Sequence, residues 1–340
     1  MFGNSQRIAF LTMLFFSALS IQALAQEKPV VVATASMIAD MVKQVAGDAV
    51  QIECIVPIGG DPHIYDPTPG DAQLIGKADL ILRNGLTFEG WLNELIENAG
   101  GDATVVTVTD GLEPITSSVY ENATDPHAWM DANHGLIYVQ NIFDALALLI
   151  PEHKEKLTRN YESYQNQIKE TDRYIMDQVL TIDASRRVLI TSHDAFQYYG
   201  RRYGLQLESV LGTSTDADVQ TSDIVRLNKV IKEKKVPALF VESTINPKLL
   251  EQLAADNDIR VGGSLYADSL GDEDSPAPTY LAMLRHNTDV IVAALNRKIS
   301  AEQVGSKGDT PIGKERNWTY ILLGGILLLV AVFAYFKFAT

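Results

Sequence analysis

Apolar positions in the first part of the chain follow two alternating rhythms. Val30–Ser36 is a β-branched run, and Met37–Ala46 follows it with Ile38, Met41, Val42 and Val45 at helical spacing before Gly47 stops the helix. Val50–Val56, Ala78–Leu82 and Thr104–Thr109 predict further short strands, and Phe88–Asn98 predicts a helix that ends at Gly100-Gly101. This βαβ rhythm predicts a mostly parallel sheet with helices on both faces. A second series begins at Arg187–Ser192 and continues through Leu205–Leu211, Ala238–Val241 and Arg260–Leu265. The helical stretches Thr221–Lys235, Asn246–Asn257 and Thr279–Asn296 accompany it, with Asn246 placed as an N-cap before Pro247.

Between the two series, Pro151–Leu180 has no interior Pro or Gly. Its apolar positions Leu157, Tyr161, Tyr164, Ile168, Ile175 and Val179 stand 4, 3, 4, 7 and 4 residues apart, which predicts one long amphipathic helix. The expected fold is therefore α/β, with two lobes, each a mostly parallel sheet flanked by helices, bridged by one long rigid helix. The lobes are placed at 26–150 and 183–299 and the linking helix at 151–182.

The two ends read as separate from the fold. Arg7, the apolar stretch Ile8 to Ile21 and the small residues of Ala23-Leu24-Ala25 resemble a secretory signal covering 1–25, cleaved after Ala25. Trp318 to Phe336 is 19 residues without a charge, about 28 Å as a helix, and predicts a transmembrane helix at 318–336. The polar, glycine-containing stretch 300–317 reads as a tether. Together they place the main domain outside the cytoplasm, anchored through its C-terminal helix.

Composition narrows the partners. The chain has 340 residues with 28 basic and 43 acidic side chains, a net charge of −15, which argues against nucleic acid, whose phosphates need Lys and Arg. At 46% apolar and 21% charged residues it has ordinary globular usage. A single cysteine, Cys54, excludes an intramolecular disulfide and a Cys-cluster zinc site, and it reads as a small buried hydrophobe in a strand.

Candidate chemistry collects in four turns. These are Gly59-Gly60-Asp61-Pro62-His63-Ile64-Tyr65-Asp66-Pro67, Asp125-Pro126-His127-Ala128-Trp129-Met130-Asp131, Ile190-Thr191-Ser192-His193-Asp194-Ala195-Phe196 and Leu265-Tyr266-Ala267-Asp268-Ser269-Leu270. Three of them stand at the carboxyl ends of predicted strands, where open α/β sheets collect ligands. Each alone is weak, since a loop histidine is commonly structural and an Asp after a strand commonly an N-cap. The separations of 64, 66 and 75 residues between His63, His127, His193 and Asp268 match no local zinc motif. His134, His153 and His286 read as structural or solvent-facing. Asp66, Asp131 and Asp194 could orient ligand imidazoles through their free N–H, or serve as ordinary caps.

The strings GGDPHIYDPTPGD, DPHAWMD, ITSHDAFQYYGRRYGL and LYADSLG, in this order, closely resemble the metal-receptor family of periplasmic solute-binding proteins that serve zinc, manganese and iron ABC importers. The resemblance spans about Pro29 to Leu295. It implies two α/β lobes bridged by a rigid helix, with metal ligands at His63, His127, His193 and Asp268. It also implies an ABC importer permease and its ATPase as partners. Three departures stand out: a C-terminal apolar span where many members have an N-terminal lipid anchor, Ala132 where proline is frequent, and no histidine in Glu113–Thr124, where zinc-specific members often carry a His-rich loop.

Three neutral imidazoles and a carboxylate suit Zn2+, and with more oxygen coordination Mn2+; zinc fits better. The expected function is an extracytoplasmic, monomeric receptor, not an enzyme, which captures a divalent metal and delivers it to the importer. With imidazole values near ~6.5, affinity should fall steeply below about pH 6. The alternatives are a zinc-dependent hydrolase, which would need an open water position and a general base, and a surface adhesin with an incidental metal site.

Overall fold

The computed structural model describes residues 27–116, 124–216 and 219–297. The predicted signal, tether and transmembrane helix lie outside these residues. Among the described residues no single helix is long and apolar enough to cross a membrane.

The first half holds β1 (Val30–Ala33), α1 (Ser36–Ala46), β2 (Gln51–Cys54), α2 (Pro69–Ile75), β3 (Leu80–Arg83), α3 (Leu92–Ala99), β4 (Thr104–Thr107) and α4 (Ala132–Leu149). Its four strands form one parallel sheet in the order β2-β1-β3-β4. The long α5 (Lys154–Leu180) follows; its 27 residues reach about 40 Å. The second half holds β5 (Val188–Thr191), α6 (Gln197–Tyr203), β6 (Gln206–Ser209), α7 (Thr221–Lys234), β7 (Ala238–Glu242), α8 (Lys248–Asp256), β8 (Arg260–Leu265) and α9 (Tyr280–Asn296).

The expected second sheet is present as two parallel pairs, β5-β6 and β7-β8. β5 and β7 pack side by side. At the site end, however, the N–H of His193, just past β5, donates to the Glu242 side chain at 2.9 Å. The β7-β8 register slips between Leu239 and Phe240, a bulge that absorbs Gly262.

Period-two alternation explains how the layers fill. In β1, Val31 and Ala33 enter one apolar cluster while Val32 enters another, and in β3 Leu80 and Leu82 divide from Ile81 in the same way. In β7, Ala238 and Phe240 face the first cluster and Leu239 faces a third. Strands buried on both faces are what helix-covered parallel sheets require. The first cluster is continuous through both halves: it runs from β1 and α1 through α4 and α5 to Tyr199 of α6 and Met283 of α9. The described residues accordingly form one compact unit. An apolar core shared by both halves resists hinge bending in a way that a polar interface does not.

Helix α5 buries Leu157, Tyr164, Ile168, Ile175 and Val179, as its pattern predicts. The seven-residue gap is filled by Thr171, also buried, whose hydroxyl accepts from Arg285 Nε on α9 at 3.2 Å. Where α6 crosses β6, a Cβ on Gly200 would lie 1.8 Å from a Leu207 methyl, so only glycine permits that approach. The N-cap of α8 falls on Pro247 instead of Asn246, so the helix starts one residue later than the sequence suggests, although Asn246 Oδ1 still accepts from Lys248 N at 3.1 Å. Helix α3 starts at Leu92 instead of Phe88, because residues 85–87 turn left-handed before it. Cys54 ends β2 half-buried, with its thiol donating to Val56 O at 3.2 Å, and burial pushes its pKa up to about 12.

Candidate metal centre

Each of the four turns is fixed by its own local chemistry. The His63 loop is closed by the capping box of α2, in which Thr68 N donates to Asp71 Oδ2 at 2.7 Å and Pro69 takes the first helical position. Within the loop, Asp61 Oδ1 accepts from the His63 N–H at 2.9 Å. Asn84 holds the His127 turn by donating to Pro126 O at 2.9 Å, while its own amide oxygen accepts from the Tyr138 hydroxyl at 2.6 Å. His193 lies two residues past β5, and Asp268 three residues past β8. The Asp268 segment is tied to the first half: Ala267 O accepts from Trp129 Nε1 at 3.1 Å, and Leu270 N donates to Ser36 Oγ at 2.9 Å.

The turns bring one donor from each of His63, His127, His193 and Asp268 within 4.8 Å of one another. His127 Nε2 lies 3.2 Å from both His63 Nε2 and His193 Nε2. Asp268 Oδ1 lies 3.3 Å from His127 Nε2, and Oδ2 lies 3.1 Å from His193 Nε2 and 3.9 Å from His63 Nε2. Four ligands held tetrahedrally at 2.0–2.1 Å from zinc would stand roughly 3.3 Å apart, so these separations are close to the edges of such a tetrahedron. Both Asp268 oxygens are buried, and each faces an imidazole nitrogen, Oδ1 that of His127 at 3.3 Å and Oδ2 that of His193 at 3.1 Å. A carboxylate taken out of water is costly unless protonated imidazoles or a metal cation complete it. A hydrolase would need a water where the Asp268 carboxylate stands.

Two further carboxylates set the imidazoles. Asp125 Oδ1 lies 2.7 Å from His127 Nδ1 and also accepts the His127 backbone N–H at 2.9 Å. Glu242 Oε2 lies 2.6 Å from His193 Nδ1, and its Oε1 takes the His193 N–H. A proton at each Nδ1 directs each Nε2 lone pair into the cluster. Neither residue stood out in the sequence, although Asp125 lies two residues before His127, a spacing that permits both contacts. Glu242 is 49 residues from His193, and only the packing of β5 beside β7 brings them together.

For Asp66, Asp131 and Asp194 the sequence leaves both an orienting and an ordinary capping role open. Asp131 caps α4, accepting from Asn133 N at 2.8 Å, and lies 3.9 Å from Nε2 of His134. Asp194 accepts from Gln197 Nε2, and its N–H donates to Gly212 O. Asp66 is exposed on a cleft beside His63. Of the remaining histidines, His134 is half-buried edge-on against Tyr198, His153 is solvent-facing, and His286 meets Tyr266. At Ala132, where the resembled family often has proline, the retained N–H donates to the Tyr203 hydroxyl at 3.3 Å.

Aromatic rings wall the donors. Phe88 meets His63 edge-on with centroids 4.9 Å apart, and Trp129 meets His127 at 5.3 Å. Phe88 is delivered by Gly85, Leu86 and Thr87, three successive residues with φ of 80°, 52° and 68°. Non-glycine residues in that region cost of order 1–3 kcal/mol each. The buried Glu89 carboxylate offsets that cost by accepting from Asn84 N, Gly85 N and the Thr34 hydroxyl.

Burial and charge act differently on each imidazole. Burial lowers the pKa of His63 to about 3. Burial also disfavours the cation at His127, but hydrogen bonds that its ring donates to the Asp125 and Asp268 carboxylates outweigh it and raise the pKa to about 9. His193 is likewise pushed up, because Glu242 and Asp268 overcome its burial. Burial would raise Asp268, yet the neighbouring His193 and His127 hold its carboxyl well below the usual range. Without metal, protons therefore stand where the cation would go.

A family model described as ZnuA, zinc-uptake complex component A, periplasmic, matches residues 31–294. The zinc-binding protein TroA of Treponema pallidum is 38% identical over 282 residues, covering 81% of this chain and 91% of that protein. The manganese-binding lipoprotein MntA of Halalkalibacterium halodurans is 34% identical, covering 78% and 88%. The solved structure of periplasmic zinc-binding TroA superposes with a TM-score of 0.76 at 36% identity, covering 79% of this chain and all of that one. The chain belongs to the ZnuA family of periplasmic metal receptors that serve ABC importers.

Proposed function

We propose that this protein captures one divalent transition metal, zinc ahead of manganese, outside the cytoplasm and delivers it to an ABC importer permease and its ATPase. His63, His127, His193 and Asp268 are the ligands. The observation that carries this reading is the convergence of four enclosed donors, three imidazole nitrogens and the Asp268 carboxylate, within 4.8 Å of one another. Zinc leads because three nitrogens and one carboxylate in a tetrahedral spacing are its usual set. Manganese is second because both Asp268 oxygens face the cluster, and a bidentate carboxylate would add an oxygen ligand. In this reading residues 1–25 export the chain and 318–336 anchor it.

His63 and His127 come from the first half, and His193 and Asp268 from the second. The metal thus staples the halves across a core that is already continuous. Binding displaces the protons held by His127 and His193, and the Asp125 and Glu242 carboxylates keep both rings aimed as the protons leave. The test is competition titration of the metal-free protein with zinc and then manganese, beside His193→Ala. The expected result is one metal per chain, with zinc tighter, and severe weakening in the variant. Binding unaffected by the substitution would overturn the assignment. At metal concentrations 100 times Kd, the metal should add about 2.7 kcal/mol of stability, and a chelator should remove it.

A further inference from the structure

Beside the donor cluster, a cleft of about 770 Å³ opens between the His63 loop and α3. His63 is the one ligand among its lining residues, and it is also the least enclosed ligand, with 4% of its side chain accessible against 0% for the other three. The cleft therefore approaches the cluster at His63. Tyr65 and Trp91, with ring centroids 5.2 Å apart, form an aromatic wall, and Asp66, Glu94 and Asp216 supply three exposed carboxylates. No Lys or Arg is among the described lining residues. Asp216 comes from the second half. It is held over the cleft by its neighbour Thr215, whose hydroxyl donates to Asp61 Oδ2 at 2.6 Å.

We propose that this cleft is the loading route: Asp66, Glu94 and Asp216 draw a hydrated divalent cation to His63, the first donor it meets, before it passes to the buried donors. The inference rests on the metal-receptor reading above. Three carboxylates beside low-dielectric aromatic walls concentrate cations, and the four-donor cluster behind His63 gives the cation a destination. A route of this kind sets the association rate and leaves the dissociation of bound metal alone, because none of the three cleft carboxylates is among the four ligands.

The test is stopped-flow association of Zn2+ with the full metal-free chain as ionic strength is raised. The variants are Glu94→Gln with Asp216→Asn, and Glu97→Gln as a control on the same helix but outside the cleft. The double variant should associate roughly three- to tenfold more slowly at low salt. That difference should vanish as screening shortens the Debye length toward about 3 Å at 1 M. Dissociation should be unchanged, and Glu97→Gln should behave as the parent. Equal association rates in the double variant and the parent overturn the route, as does an equal slowing by Glu97→Gln, which would make the effect one of net charge. Failure of the parent chain to bind zinc at all overturns the receptor reading and this inference with it.

Discussion

Glu242 grips His193 at two points, one oxygen 2.6 Å from Nδ1 and the other accepting the backbone N–H at 2.9 Å. Both residues are buried, so the pair fixes ring and backbone together where water cannot compete. Glu242→Gln keeps the shape but can no longer stabilise charge on the ring. It should weaken metal binding by about 10–100-fold, as loss of an orienting carboxylate commonly does. Competition titration checks this; affinity within a factor of two of the parent would mean that Glu242 does not orient the ligand.

The pH dependence should differ from that of ordinary imidazoles. The sequence leads one to expect affinity to fall below about pH 6, yet His127 holds its proton up to about 9 and His193 is raised as well. Metal binds the deprotonated rings, so affinity is lost as pH falls through about 9 and should still be rising between pH 7 and 9. The slope should approach tenfold per unit for each proton displaced. Titration calorimetry in buffers of different ionisation enthalpy reads the protons released at pH 7.5. The metal-free protein should show the opposite trend: a raised histidine contributes stability that is full below about 6.5 and lost as pH rises through about 9.

Ile168 of α5 is fully buried in the core shared by both halves. Ile168→Ala should cost about 2–5 kcal/mol in denaturant unfolding. None of the four ligands lies on α5, so metal stoichiometry should remain one per chain. Two separate unfolding transitions in the variant would indicate that the halves are less coupled than the continuous core implies.

The parts of the structure legible from sequence were those with a short-range signature. The strands and α5 follow from periodicity, and the four turns stand out because Gly, Pro and Asp fix the backbone beside each ligand. Resemblance then joined the turns, which spacing alone could not do. What escaped was non-local or chemically ambiguous. Glu242 reads as a strand-end acid until β5 and β7 pack, and Thr171 reads as polar although it is buried. Leu86 and Thr87 give no sign of left-handed backbone, because Glu89 and its partners impose it from outside the turn. The separation of β5-β6 from β7-β8 is equally invisible, since strand pairing is non-local.

The central claim is that His63, His127, His193 and Asp268 form one coordination sphere. X-ray absorption on the chain loaded with one equivalent of zinc tests it most directly. The account predicts three imidazole nitrogens and carboxylate oxygen at about 2.0–2.2 Å, with no sulfur and an altered shell in Asp268→Ala. A first shell with one imidazole or none, dominated by water oxygens, would contradict it.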